Sequence, residues 1–223
     1  MERLPVVVTR GEAVRQVPPE LAVVHVRTAV KGKPTRAAVL ERLAEGSAAV
    51  GAVLDEFADA IERRESTNVD VYPEWNPQGG ETGAFEGSAG VNALVTDFTV
   101  LGDLIVRLAG VDLAAVSGPS WQLRPGSRAG AEVRRAAVTD ALSRAAEYAA
   151  AVGAEVDRLI EINDATELYE SYTAQAEMDS NRSARSESSP VLVLEPQLQV
   201  VRAQVRVTVT ISEPTLPGRP TGT

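Results

Sequence analysis

The sequence predicts an α+β fold: a mostly antiparallel β-sheet with two long helices and one short helix packed on one face. Three observations carry this. VVRAQVRVTVTIS (200–212) alternates without a break, with Val201, Ala203, Val205, Val207, Val209 and Ile211 on one side. Arg202, Gln204, Arg206, Thr208 and Thr210 fall on the other, as in a half-buried strand with one wet face. Two stretches, 34–64 and 125–153, carry apolar residues at helical spacing. The elements run strands, helix, strand pair, helix, strand, helix, strands, so helices and strands do not alternate as in a parallel sheet.

Taken in order, residues 4–10 form a short apolar strand ended by Gly11, and ELAVVHVRTAV (20–30) forms the second. The two read as an opening hairpin, with Pro18-Pro19 marking the bend because proline cannot continue a central strand. Pro34 opens a helix over 34–64 with the stripe Val39, Leu43, Val50, Leu54, Phe57 and Ile61, about 46 Å long at 1.5 Å per residue. TNVDVYP (67–73) reads as a strand and NPQGGETGAFEG (76–87) as a glycine-rich loop.

GVNALVTDFTV (90–100) is a further strand, and LGDLIVRLAG (101–110) a short helix stopped at Gly110. Residues 111–123, including Trp121, are extended. The second long helix spans 125–153 with the stripe Val138, Leu142, Ala145, Ala149 and Val152, and Gly153 ends it. A strand follows within 155–164. TAQAEMDSNRSARSESS (173–189) has few large apolar groups and reads as a mobile loop. The alternating strand 200–212 spans roughly 40 Å and precedes a disordered tail, 213–223. No composition break divides the chain, so one domain is expected over 1–212.

Composition excludes several functions. There is no Cys, which removes disulfides, thiolate nucleophiles and thiolate metal sites. The net charge of -9 opposes binding to a phosphate backbone, so no nucleic acid is expected as a partner. The first residues, MERLPVVV, lack the form of a secretory leader, and no apolar run approaches a membrane span. The expectation is a soluble cytoplasmic protein without membrane insertion.

Several stretches together resemble the SIMPL-domain family. VVVTRGEA followed by PPELAVV is similar to that family's opening V-x-G-x-G-E … P-D-x-A. STNVDVYPEW resembles its T-x-x-x-V-x-P-x-Y strand. FEGSAGVNALVTDFTVLGDLI and AEVRRAAVTDALSRAAEYAAAVGAEVDRLIEI resemble its central strand–helix segment and its long helix with the following strand. Departures are Thr9 at the first Gly, Glu20 at the Asp and Trp75 at the Tyr. The resemblance covers roughly 5–212 and implies an α+β fold, with large ring-shaped oligomers in some members. It carries over no catalytic residues. Links to oxidative-stress protection and kinase signalling exist in the family, and many bacterial relatives are exported.

The residues themselves offer few sites. His25 is the only His, too little for a triad or a zinc site. GGETGAFEG lacks the Gly-Lys-Ser/Thr ending of a phosphate loop. Asp55, Glu56 and Asp59 cluster off the apolar stripe, with Asp55 and Asp59 one turn apart. Residues 65–106 hold seven carboxylates and no Lys or Arg. Within them Tyr72, Glu74 and Trp75 form a possible ligand or partner surface for a cation, a sugar or a basic segment. Arg124, Arg128, Arg134, Arg135 and Arg144 form a basic group on and before the second long helix. The first four are candidate contacts between subunits. No G-x-S-x-G motif is present.

The reading is a non-enzymatic, self-assembling scaffold or interaction protein whose partner is a copy of itself, with another protein as a further partner. No cofactor, catalytic residue or metal ligand is expected. The alternative is a small-ligand or cation binder at Tyr72 and Trp75.

Overall fold

The computed structural model describes residues 4–76, 80–164 and 192–215. Its elements are β1 (Val6–Val17), β2 (Leu21–Lys33), α1 (Arg36–Glu56), β3 (Ile61–Trp75), β4 (Glu81–Val95), α2 (Leu101–Ala109), β5 (Ala114–Gln122), α3 (Arg128–Ala151), β6 (Val156–Asp164) and β7 (Gln199–Ile211). This is the α+β class with two long helices and one short one. The strands sort into two sheets, one of three strands in the order β1-β7-β6 and one of four in the order β3-β4-β2-β5.

The chain forms two compact units. One comprises Met1–Val17, Pro125–Arg182 and Val200–Thr223; the other comprises Pro18–Arg124 and Ser183–Gln199. The boundary falls at the Pro18-Pro19 pair. The expected opening hairpin does not form, because β1 and β2 belong to different sheets. Two successive residues without an N–H cannot keep a ladder going between them.

In the four-stranded unit, β2 is central and pairs antiparallel with β4 on one side and β5 on the other. Ala22, Val24 and Val26 join Ala93 and Val95 in a core with Val50 and Leu54 of α1 and Leu101, Leu104 and Leu108 of α2. Burying each leucine contributes about 1.5–3 kcal/mol. The expected stripe of α1 holds, with Val39, Leu43, Val50 and Leu54 all buried. The helix is shorter than its periodicity suggested. It starts at the Thr35 cap, whose hydroxyl accepts from Ala38 N–H, and stops at Glu56. Residues 61–64 are strand, because Ile61, Arg63 and Arg64 pair with Val95, Leu94 and Ala93 of β4. A long-range ladder overrides the local repeat.

The expected glycine-rich loop is also mostly strand. β4 runs from Glu81, and Gly87 sits where a Cβ would come within 2.5 Å of Asp70 O. Residues 77–79 lie outside the described residues. The strand expected over 90–100 ends at Val95, and Phe98–Val100 form a 3-10 turn capped by Asp97.

In the three-stranded unit, β7 is central and buries Val201, Ala203, Val205, Val207, Val209 and Ile211, the face its alternation marked. β6 pairs with it antiparallel. The contacts Pro5–Ile211 and Glu12–Gln204 run in opposite senses along β1 and β7. β1 continues to Val17 rather than ending at Gly11. Gly11 lies mid-strand against α3, where a Cβ would overlap the Ala137 carbonyl. For the same reason α3 buries Gly130, Val133, Ala137, Ala141, Ala145 and Ala149; of the expected stripe Ala145 and Ala149 are buried, and the bulkier members are not. Val138 is half-buried and Leu142 exposed. A helix this close to a strand has room only for small side chains. The expected loop 173–189 lies outside the described residues, as does the tail from 216 onward.

Candidate functional site

Among the described residues no buried side-chain polar atom lacks a hydrogen-bond partner. No group of three or more His, Asp or Glu could hold a metal among them either. Candidate sites are therefore surface features, and two stand out.

The first is β6. It is the end strand of its sheet, and all nine of its residues are exposed. Four of them are large and apolar: Val156 (37%), Leu159 (46%), Ile160 (54%) and Ile162 (45%). Its register against β7 shifts between Leu159 and Glu161. Arg158 therefore faces the same side as Glu161, opposite Thr210 and Thr208, while Leu159 and Ile162 share the side of Val209 and Val207. The other end strand, β1, is covered differently. The N–H of Glu12 donates to Asp140 Oδ2 of α3 at 2.9 Å, and Arg15 pairs with Glu132.

The second lies on the face of the four-stranded sheet away from α1 and α2. His25 and Arg27 of β2 point there, both exposed. They line a depression of about 310 Å³ with Asn92, Ser88 and Ser117 from the neighbouring strands. His25 Nδ1 lies 2.8 Å from Asn92 Oδ1, and Arg27 Nη2 donates to Ser88 Oγ at 3.0 Å. Gly90, opposite Arg27, has no side chain, and the Thr67 hydroxyl takes the place a Cβ would fill. Sequence reasoning missed the depression. Gly90 stood in a predicted strand, and nothing local shows that Arg27 and Gly90 are cross-strand neighbours.

The predicted site residues are placed as follows. Tyr72 and Trp75 lie exposed on β3, an end strand, paired with Glu86 and Glu81 of β4. They make no ring contact with each other. Glu74 is half-buried, and its carbonyl accepts from the Thr82 hydroxyl. The acidic stretch is offset locally: Glu65 pairs with Arg63, Glu86 with Lys31, and Asp70 accepts from Asn68. Asp97 accepts from the hydroxyl and N–H of Thr99, which hold its carboxyl below the usual range.

Asp55 and Glu56 pair with Arg64 and Arg107. Asp59 sits in the 3-10 turn Ala58–Ala60, so it is not one α-helical turn beyond Asp55 as expected. The arginines divide between the units. Arg124 is held by Glu62, which raises its pKa, and its N–H donates to Glu20. Arg128, Arg134 and Arg135 lie exposed on α3, and Arg144 pairs with Asp140.

Two antiparallel sheets, one with α1 and α2 and the other with α3, define an α+β fold. The model of the SIMPL family, described as a protein of unknown function (DUF541), matches residues 7–209, and the chain belongs to that family. The comparison with curated proteins finds no match. No helix among the described residues is long and apolar enough to cross a membrane.

Proposed function

We propose that this is a non-enzymatic interaction protein that assembles with copies of itself, and that β6 is its contact. The observation that carries the reading is that, among the described residues, no strand pairs with the outer edge of β6, which bears four exposed apolar side chains. Such an edge presents unpaired N–H and C=O groups to any strand that can match it. A second copy matches it well. In an antiparallel pair related by a two-fold axis, Arg158 falls opposite Glu161 of the partner subunit, and the reverse pairing follows by symmetry. The apolar Leu159 and Ile160 lie between those two ion pairs. Among the described residues Arg128, Arg134 and Arg135 are exposed and form no ion pair, and they supply further charge for contacts between subunits.

The test is native mass by size exclusion with light scattering at two ionic strengths. The expected result is a discrete multiple of 23.6 kDa whose stability falls with salt. A monomer at micromolar concentration rejects the reading.

A further inference from the structure

We infer that the depression on β2, β4 and β5 is a binding site for a small hydroxylated monocarboxylate. The argument starts from how it is made. Along β2 and β4 the register is regular from Ala22–Val95 to Val30–Gly87, so His25 and Asn92 stand directly opposite, as do Arg27 and Gly90. Both flanking strands depart from regularity at this level. β3 places three steps (Ser66 to Val69) against two on β4 (Val91 to Ala89), and this bulge carries Thr67 and Asn68 into one wall. β5 places three steps (Ser117 to Ser120) against two on β2 (Val23 to His25), which sets Ser117 opposite His25 in the other wall. That second bulge turns on Gly118, whose φ of +112° other residues rarely adopt. A floor at Gly90 that admits the Thr67 hydroxyl, set between two bulges, is shaped rather than an ordinary wet sheet face. Bulges recur where a strand must re-aim a side chain.

The chemistry of the lining selects the ligand. Arg27 has no carboxylate partner among the described residues. Its one hydrogen bond is to Ser88 Oγ, so most of its fork remains open for a bidentate acceptor. A guanidinium without an ion pair among the described residues can take an anion locally even in a chain of net charge -9. Asp70, directly opposite Ser88 and also lining the depression, limits that anion to a single charge. A doubly charged phosphate or sulfate would meet a like charge across the cavity. The remaining groups are hydroxyls and amides. In the neutral ring, donation from His25 Nδ1 to Asn92 Oδ1 leaves Nε2 as the acceptor. Nε2 and the Asp70 carboxylate accept from ligand hydroxyls, and Ser117 and Thr67 donate or accept. The site is therefore matched to a carboxylate at Arg27 with hydroxyl groups toward His25 and Asp70.

The single His makes the test direct, because untagged protein shows one imidazole signal in a proton–nitrogen spectrum. Gluconate should shift that signal saturably. Glucose, similar in size but without the carboxylate, should leave it in place. Arg27→Gln should weaken gluconate at least about tenfold, the loss expected when a charged hydrogen-bond partner goes. Ser117→Val, on the opposite wall, should also weaken it. Native mass and circular dichroism of each variant report folding separately. Should Arg27→Gln fail to fold, Arg27→Lys keeps the charge, loses the fork, and should bind less tightly. No saturable shift with gluconate, an equal response to glucose, or unchanged affinity in the folded variants overturns the site. Sulfate binding as tightly as gluconate overturns the monocarboxylate assignment. None of these readings depends on oligomeric mass.

Discussion

The hydroxyl of Thr9 donates to the carbonyl of Ala141 at 2.8 Å, joining residues 132 positions apart in the sequence. The bond forms because β1 lies directly on α3, with Gly11 two residues further along against Ala137 and Ala141. Thr9 and Gly11 are both buried, and the alanine stripe of α3 is the surface they meet.

That approach makes Gly11 sensitive to any side chain. Gly11→Val should cost at least about 1–3 kcal/mol through overpacking. Gly51 is the contrast: it lies inside α1 with nothing within 4 Å of an added Cβ. Gly51→Ala should stabilise by about 0.5–1 kcal/mol through helix propensity. Urea denaturation of the two variants measures both. Equal effects would show that packing at Gly11 has been misread.

For β6, Arg158→Glu should lower the native mass by placing like charges opposite one another. Arg158→Glu combined with Glu161→Arg should restore it, because the pairing is reversed and intact. Each residue is exposed, so neither single change should alter the stability of the fold by more than about 0.5 kcal/mol. If the double variant stays at the mass of the single one, Arg158 and Glu161 do not face each other across the contact.

Core variants report on the four-stranded unit. Leu104 is fully buried among Val24, Val95 and the α1 leucine Leu54. Leu104→Ala should cost about 2–5 kcal/mol by lost burial and the cavity left behind. The loss should appear in the denaturation midpoint, while gluconate binding to the remaining folded protein stays the same.

Two carboxylates contribute to the acid limb of stability. Asp140 accepts the Glu12 N–H and pairs with Arg144, and Asp97 accepts from Thr99; each is held below the ordinary 3.8. A depressed folded pKa means the contribution is present above 3.8 and disappears as pH falls through the folded value. Asp97 is exposed and Asp140 half-buried at the surface, so the effect is modest. Thermal melts of wild type against Asp97→Asn with Asp140→Asn should diverge at neutral pH and converge at the acid end. A constant gap at every pH would show that the carboxylate charge is not involved.

Much of the fold is legible in particular stretches of sequence. The buried residues of β7 are those its alternation marks, and Val39, Leu43, Val50 and Leu54 of α1 are those its helical spacing marks. The motif order carries the family. In each case the signal is local, repeating every two residues in a strand and every three or four in a helix. The candidate sites were less legible. Tyr72, Trp75 and the arginines were chosen by type and proximity in sequence. The depression instead joins His25, Thr67, Asn92 and Ser117, which share no local pattern.

Sequence alone determined the class and the faces of β7 and α1 that meet the core, because these follow from side-chain periodicity. Tertiary structure decided that the strands form two sheets parted at Pro18-Pro19, that α1 yields to β3 after Glu56, that α3 buries small residues along its length, and that Gly90 admits the Thr67 hydroxyl beside Arg27. Each of these depends on which distant backbone comes close. A ladder partner or a close-packed helix outweighs the fraction of a kilocalorie per residue that local preference supplies.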